Sequence, residues 1–228
     1  MSSSNKQASS GFSILELIIA MAITMALMTA ATTLLANAMR MRNRENQKSD
    51  ALADTQRAIN IMSREIANAG FNMTNNGIVA ADSGLNEIRV RANLNRYEYD
   101  PPVDEFARNN VQEEGEDITF FINDADNTKY LARHDQYGNG STVLANRIDS
   151  MNIHYFDQKV TYTAPPAGAD ITNASAAEVS PANAKYIVIA ISVTLDAVGT
   201  LGNAGYQPPY SVLICSDVML RNSGLWGY

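Results

Sequence analysis

One carboxylate stands in a stretch that otherwise excludes charge. From Phe12 to Met39, Glu16 is the only ionisable side chain. A charge at the centre of a membrane helix costs about 2.5–3.5 kcal/mol on the more lenient insertion scale, so an acid kept there usually has chemistry to do. As a helix the stretch spans roughly 40 Å at ~1.5 Å per residue, more than the ~30 Å hydrocarbon core of a bilayer. Phe12 and Glu16 are four residues apart and share one helix face.

Elsewhere the residue types that do chemistry lack partners at a working spacing. Asp124, Asp126 and Asn127 sit in one short segment. A calcium loop of the EF type starting at Asp124 needs Gly in its sixth place and Glu in its twelfth; Lys129 and Asp135 stand there, so a hairpin turn fits better. The run Glu113, Glu114, Glu116 and Asp117 reads as a solvated loop, with weak divalent-cation binding as the alternative. His134 and His154 have no second His or Cys at ligand spacing and read as surface strand residues. There is no Gly-x-Ser-x-Gly elbow and no phosphate-cradling glycine loop. No carboxylate pair has a catalytic spacing. No catalytic residue, metal or cofactor is assigned, and the sequence reads as non-enzymatic. Cys215 is the one cysteine, so no disulfide forms within these residues. It lies in a β-type segment and reads as a buried small apolar residue.

Two kinds of element must position these residues. The helical pattern runs from Phe12 to about Ala69. Leu52, Ile59, Met62 and Ile66 form a narrow apolar stripe, and Gly70 is placed to cap the end. Ala51, Ala53, Ala58, Ala67 and Ala69 favour helix and let other chains approach. The stripe needs a sheet to cover it. Strands are expected around Ile88 and Val90, at Asp117–Asn123, Thr128–His134, Met151–Tyr155, Tyr186–Asp196 and Tyr210–Leu220. In Tyr186–Asp196, Ile187, Ile189, Ile191, Val193 and Leu195 point one way and Ser192, Thr194 and Asp196 the other. Asn93–Glu116 and Ala164–Asn183 are long surface loops. Residues after Gly70 suffice for one domain with a real core.

The heptapeptide Gly11-Phe12-Ser13-Ile14-Leu15-Glu16-Leu17 follows a polar leader and opens the long apolar run. It resembles the class III signal of type IV prepilins and type II secretion pseudopilins. Ser13 departs mildly from the commoner Thr. The resemblance implies a leader at residues 1–11 and peptidase cleavage between Gly11 and Phe12. It implies methylation of the new Phe12 amine, and a helix at 12–70 whose 12–39 part sits in membrane lipid. It implies an α+β, pilin-like fold: a long N-terminal helix, its first half membrane-embedded, packed on an antiparallel β-sheet head at 71–228. Glu16 then pairs with the Phe12 amine of its own chain or a neighbour's, which relieves the cost of a bare carboxylate in lipid. The implied partners are other pilins, the prepilin peptidase and an inner-membrane assembly platform. The implied location is the bacterial inner membrane, head outside the cytoplasm, then a pilus or pseudopilus.

Met62-Ser63-Arg64-Glu65-Ile66, Ala69-Gly70-Phe71, Ala145-Asn146-Arg147-Ile148 and the closing Leu220-Arg221-Asn222 are similar to PilW-type minor pilins, which help initiate or cap a filament. The layout is also similar to the J-type minor pseudopilin. A tip adhesin or DNA-capturing subunit is the reading of another class. The formal charge of −7 disfavours nucleic-acid binding by the head. Many pilins pin a C-terminal loop with a disulfide; a lone Cys215 leaves this head to packing.

Simpler readings of the run remain: a single-pass anchor with an incidental acid, or a secretory signal centred on Met21–Ala31. Arg40, Arg42 and Arg44 close the run, and the positive-inside rule alone would put that side in the cytoplasm. The peptidase signal places the leader there instead. The arginines then meet outer headgroups, acids on neighbours, or water. The ending Leu225-Trp226-Gly227-Tyr228 is either a flexible end or an interface anchor.

Overall fold

A computed structural model of the chain describes residues 13–95, 111–124, 129–195, 197–202 and 205–222. It is an α+β structure: one long N-terminal helix, α1 (Ile14–Ala67), and two antiparallel sheets. The cleavage and methylation positions Gly11 and Phe12 lie outside the described residues. So do Asp126, Asn127, Asp196, the Leu225–Tyr228 ending and much of the first long loop.

Residues 14–36 of α1 have no covering among the described residues. Ile14 is 79% exposed and Met25 73%. Thr24, Thr29, Thr32 and Thr33 return their hydroxyls to carbonyls three or four residues back, at 2.7–3.0 Å. Their polar groups are thereby satisfied inside the helix, as an apolar surrounding requires. This helix is long and apolar enough to cross a membrane.

The second half turns one face to the head. Ala51, Thr55, Ala58, Ile59, Met62 and Ile66 are buried at helical spacing. Leu52, expected in that stripe, is only half-buried. The alanines expected to admit other chains behave differently: Ala51, Ala58, Ala67 and Ala69 are buried against the chain's own head, and Ala53 faces outward. Small side chains on that face let the helix lie close to the strands. The cap is Asn68, whose N–H reaches the Glu65 and Ile66 carbonyls, rather than Gly70. Helix ends leave carbonyls without helical partners. Here the chain's last described residues supply them: the Arg221 N–H donates to Ala67 O at 3.3 Å, and Asn222 Nδ2 to Asn68 O and Ala69 O at 3.3 and 3.2 Å.

The strands are β1 (Glu87–Arg91), β2 (Asp117–Asn123), β3 (Tyr130–Asp135), β4 (Ser141–Asn146), β5 (Ser150–Phe156), β6 (Tyr186–Leu195) and β7 (Tyr210–Met219). One sheet runs β1-β2-β3-β4 and the other β5-β6-β7. The expected hairpin pairs Phe120 with Arg133 across β2 and β3. β4 went unforeseen. Its Leu144 and Ala145 are buried, and α1 packs on it.

The main core joins α1 to both sheets through Phe120, Leu131, Met151, Ile153, Ile187 and Ile189. Fully burying one such side chain stabilises by roughly 1.5–3 kcal/mol. The apolar set expected on one face of β6, Ile187, Ile189, Ile191, Val193 and Leu195, joins the main core, and the opposite face is also partly apolar. Tyr186 and Val188 enter a second cluster with Phe156 and Val160. Tyr162, Ile171 and Ala176 pack against that cluster. The second long loop is therefore a cover over the outer face of β5-β6-β7, more than a surface excursion.

Candidate functional site

Glu16 lies in the first turn of α1, after Ser13 at the N-cap. The Leu17 N–H donates to Ser13 O at 3.1 Å, so this turn is closed. An acid suits the place, because unpaired N–H groups give a helix start a partial positive charge. Its surroundings do not suit a lone charge in lipid. Leu15 is 67% exposed and Leu17 57%. Among the described residues no cation lies within ion-pair reach of Glu16. In an apolar surrounding, a carboxylate so placed would need a cation from outside the described residues.

This is where comparison with known proteins bears. Residues 6–32 match the prokaryotic N-terminal methylation motif. The motif spans the expected junction and Glu16 and ends well inside α1, so it speaks for the helix start and not for the head. No curated protein matches the chain. Among solved structures, the chain is similar to a type IV-like pilin from Thermus thermophilus. The identity is 9%, with 76% of this chain and 98% of that chain covered, at a TM-score of 0.39.

At the other end of the apolar run, the three arginines part company. Arg40 and Arg42 are exposed, but Arg44 is buried and donates from Nη2 to the carbonyl of Pro208. Lys48 stands 4.6 Å from the Tyr210 ring centroid, a cation–π distance. The segment before β7 is thus strapped onto the helix. Sequence reading missed this because Pro208 is far from Arg44 along the chain.

The acidic run of the head has internal partners. Asp117 has no exposed side chain and faces Arg89 and Arg91, with Nε–O distances of 2.7 Å to each. Burial works against its charge, but hydrogen bonds from both arginines outweigh burial and hold its pKa below the ordinary carboxylate value. Glu116 accepts from the Leu94 N–H at 2.6 Å. Asp135 accepts from Gly115, Tyr137 and Gly138. Among the described residues no group of three His, Cys, Asp or Glu is placed to hold a metal.

The two histidines separate. His134 is half-exposed on β3, with Nδ1 3.1 Å from Ser141 Oγ on β4. His154, expected at the surface, is buried beneath the covering loop. Its Nε2 lies 2.7 Å from Asp170 Oδ1 and its Nδ1 2.8 Å from Glu178 Oε1. Donating to both carboxylates requires the doubly protonated ring. Burial lowers its pKa, but Glu178 and Asp170 outweigh burial and raise it. The alternation of β5 indicated which face His154 takes, but nothing local indicated that the loop returns two acids to it. Cys215, expected to be buried, is half-buried on β7. Burial and the nearby Asp170 push its thiol up to about 11, which leaves it protonated and poorly reactive at neutral pH.

Proposed function

We propose that this chain is a pilin-like filament subunit, made as a precursor with a leader at residues 1–11. Cleavage falls between Gly11 and Phe12, and the exposed Phe12 amine is methylated. Residues 12–39 hold the subunit in the inner membrane, with the head outside the cytoplasm. Assembly draws the helix out of lipid and against its siblings, where Glu16 pairs with a neighbour's Phe12 amine. The observation that carries this reading is the carboxylate in the first turn of a bare apolar helix, inside a segment that matches the methylation motif. Lone insertion leaves that charge costly, and a sibling's amine offsets the cost.

Within that reading, the helix exit and the Leu220-Arg221-Asn222 ending favour a PilW-type minor subunit that helps initiate or cap a filament. Asn222 and Arg221 close the C-terminal end of α1, which gives that ending a structural task. The J-type pseudopilin shares the layout and differs in the machinery that assembles it. Gly11→Trp, expressed beside a prepilin peptidase, tests the cleavage assignment. Full-length precursor should persist in the membrane, and normal processing would contradict the assignment.

A further inference from the structure

Two stretches before β7 form a shelf at the side of α1, level with the end of its apolar run. Val198 and Gln207 exchange both backbone hydrogen bonds, Val198 N–H to Gln207 O at 3.0 Å and Gln207 N–H to Val198 O at 2.9 Å. Gly205 is pressed against α1 so closely that a Cβ there would lie 2.5 Å from Asn37 Oδ1. The Arg44 bond to Pro208 and the Lys48–Tyr210 contact fix the same region. Leu201 projects from the shelf and is 78% exposed. Met39, Arg40, Met41 and Arg42 are exposed on the adjoining helix.

The shelf's depth follows from length. A hydrocarbon core of ~30 Å holds about 20 helical residues at ~1.5 Å each. With residues 12–39 in the bilayer the helix also crosses the headgroup layers, and Asn37 falls at the outer end of that span. Gly205, in contact with Asn37, therefore lies at the level of the outer headgroups. An exposed leucine at that level borders the acyl chains, while neighbouring arginines meet phosphates.

We propose that this shelf is a second lipid contact, in which Leu201 dips into the outer leaflet while Arg40 and Arg42 engage phosphate oxygens. It rests on the reading that residues 12–39 lie in a bilayer. It goes beyond that reading, because it makes the head itself a membrane-touching body. The head is then held at one height and one rotation about α1 before assembly, and extraction into a filament must release Leu201 as well as the helix.

Spin labels in the full chain test it. In a Cys215→Ser background, one label at a time is placed through Leu201→Cys, Leu27→Cys or Phe71→Cys. The protein is reconstituted in vesicles of phosphatidylcholine and phosphatidylglycerol, and each label's access to oxygen and to a water-soluble nickel chelate is compared. Leu27 reports the span, and Phe71, exposed just beyond α1, reports water. The label at 201 should favour oxygen, between the other two. A label at 201 that matches 71 while 27 stays in lipid would overturn the shelf and leave the membrane reading standing. Dipolar broadening at 201 would overturn it too, by placing a second copy there. A water-like label at 27 would overturn the membrane reading itself.

Discussion

Gly77 and Gly70 stand back to back: a Cβ on Gly77 would lie 2.0 Å from the amide nitrogen of Gly70. Both have φ +75, a region that side chains disfavour. Arg91 ties them together, accepting from the Gly70 N–H at 2.8 Å and donating to Gly77 O at 2.7 Å. This junction turns the chain from α1 into β1, so it sets where the head sits on the helix. Gly77→Ala should destabilise the protein by about 3 kcal/mol or more, since both backbone strain and a backbone clash follow. Thermal unfolding of the detergent-solubilised chain, followed through its β-sheet circular dichroism, checks this. An unchanged midpoint would contradict the packing.

Asp117 holds two arginines at once. Asp117→Asn should cost about 3–5 kcal/mol, because it leaves Arg89 and Arg91 without their buried counter-charge. The pKa of Asp117 is depressed in the folded state. Its contribution is therefore present above the ordinary carboxylate pKa and lost as pH falls through the lower folded value. Unfolding midpoints along an acid series should fall more steeply for the wild type than for the variant over that window. Parallel curves would count against the assignment.

His154 works in the opposite direction. Its folded pKa is raised above the ordinary value of 6.5, so its contribution is full below that value and is lost as pH rises through the folded one. What loosens is the loop carrying Asp170 and Glu178. His154→Gln should cost about 1–2 kcal/mol at mildly acidic pH and little at alkaline pH. Hydrogen exchange in residues 164–183 should quicken in the wild type as pH rises above the ordinary histidine value, beyond the intrinsic base catalysis of exchange, and His154→Gln should abolish that excess. An excess that persists in the variant would show that the histidine is not the latch.

How far the sequence could be read depended on whether a feature's cause was local. The helix announced itself through Leu52, Ile59, Met62 and Ile66, since a repeat of this kind has few alternatives. β5, β6 and β7 announced themselves through alternation, and β2 and β3 through the turn-rich segment between them. β4 did not, because Ser141–Asn146 is short and only Leu144 and Ala145 are buried. Its strand conformation comes from pairing with β3 and packing on α1. Glu16 stood out because the charge-free run around it is local; its pairing with the Phe12 amine is a proposal. Arg44 did not, since the Pro208 carbonyl that buries it belongs to the shelf before β7. The same holds for His154, whose carboxylates arrive on a loop with no periodic pattern.

Glu16→Val separates insertion from assembly. The variant should enter the membrane as well as the wild type, because removing a charge from an apolar span favours insertion. Its recovery in sheared filaments should drop sharply when it is the only copy. Wild-type recovery would remove the pairing role assigned to the carboxylate. Glu16→Gln, which keeps the size and loses the charge, should resemble the valine variant.

The central claim is that a peptidase exposes an amine one helical turn before Glu16. Intact-mass and N-terminal analysis of the protein extracted from membranes tests it most directly. The expected product begins at Phe12, lacks residues 1–11 and carries one added methyl group on its amine. A chain that still begins at Met1, or one that begins beyond Ala31, would contradict it.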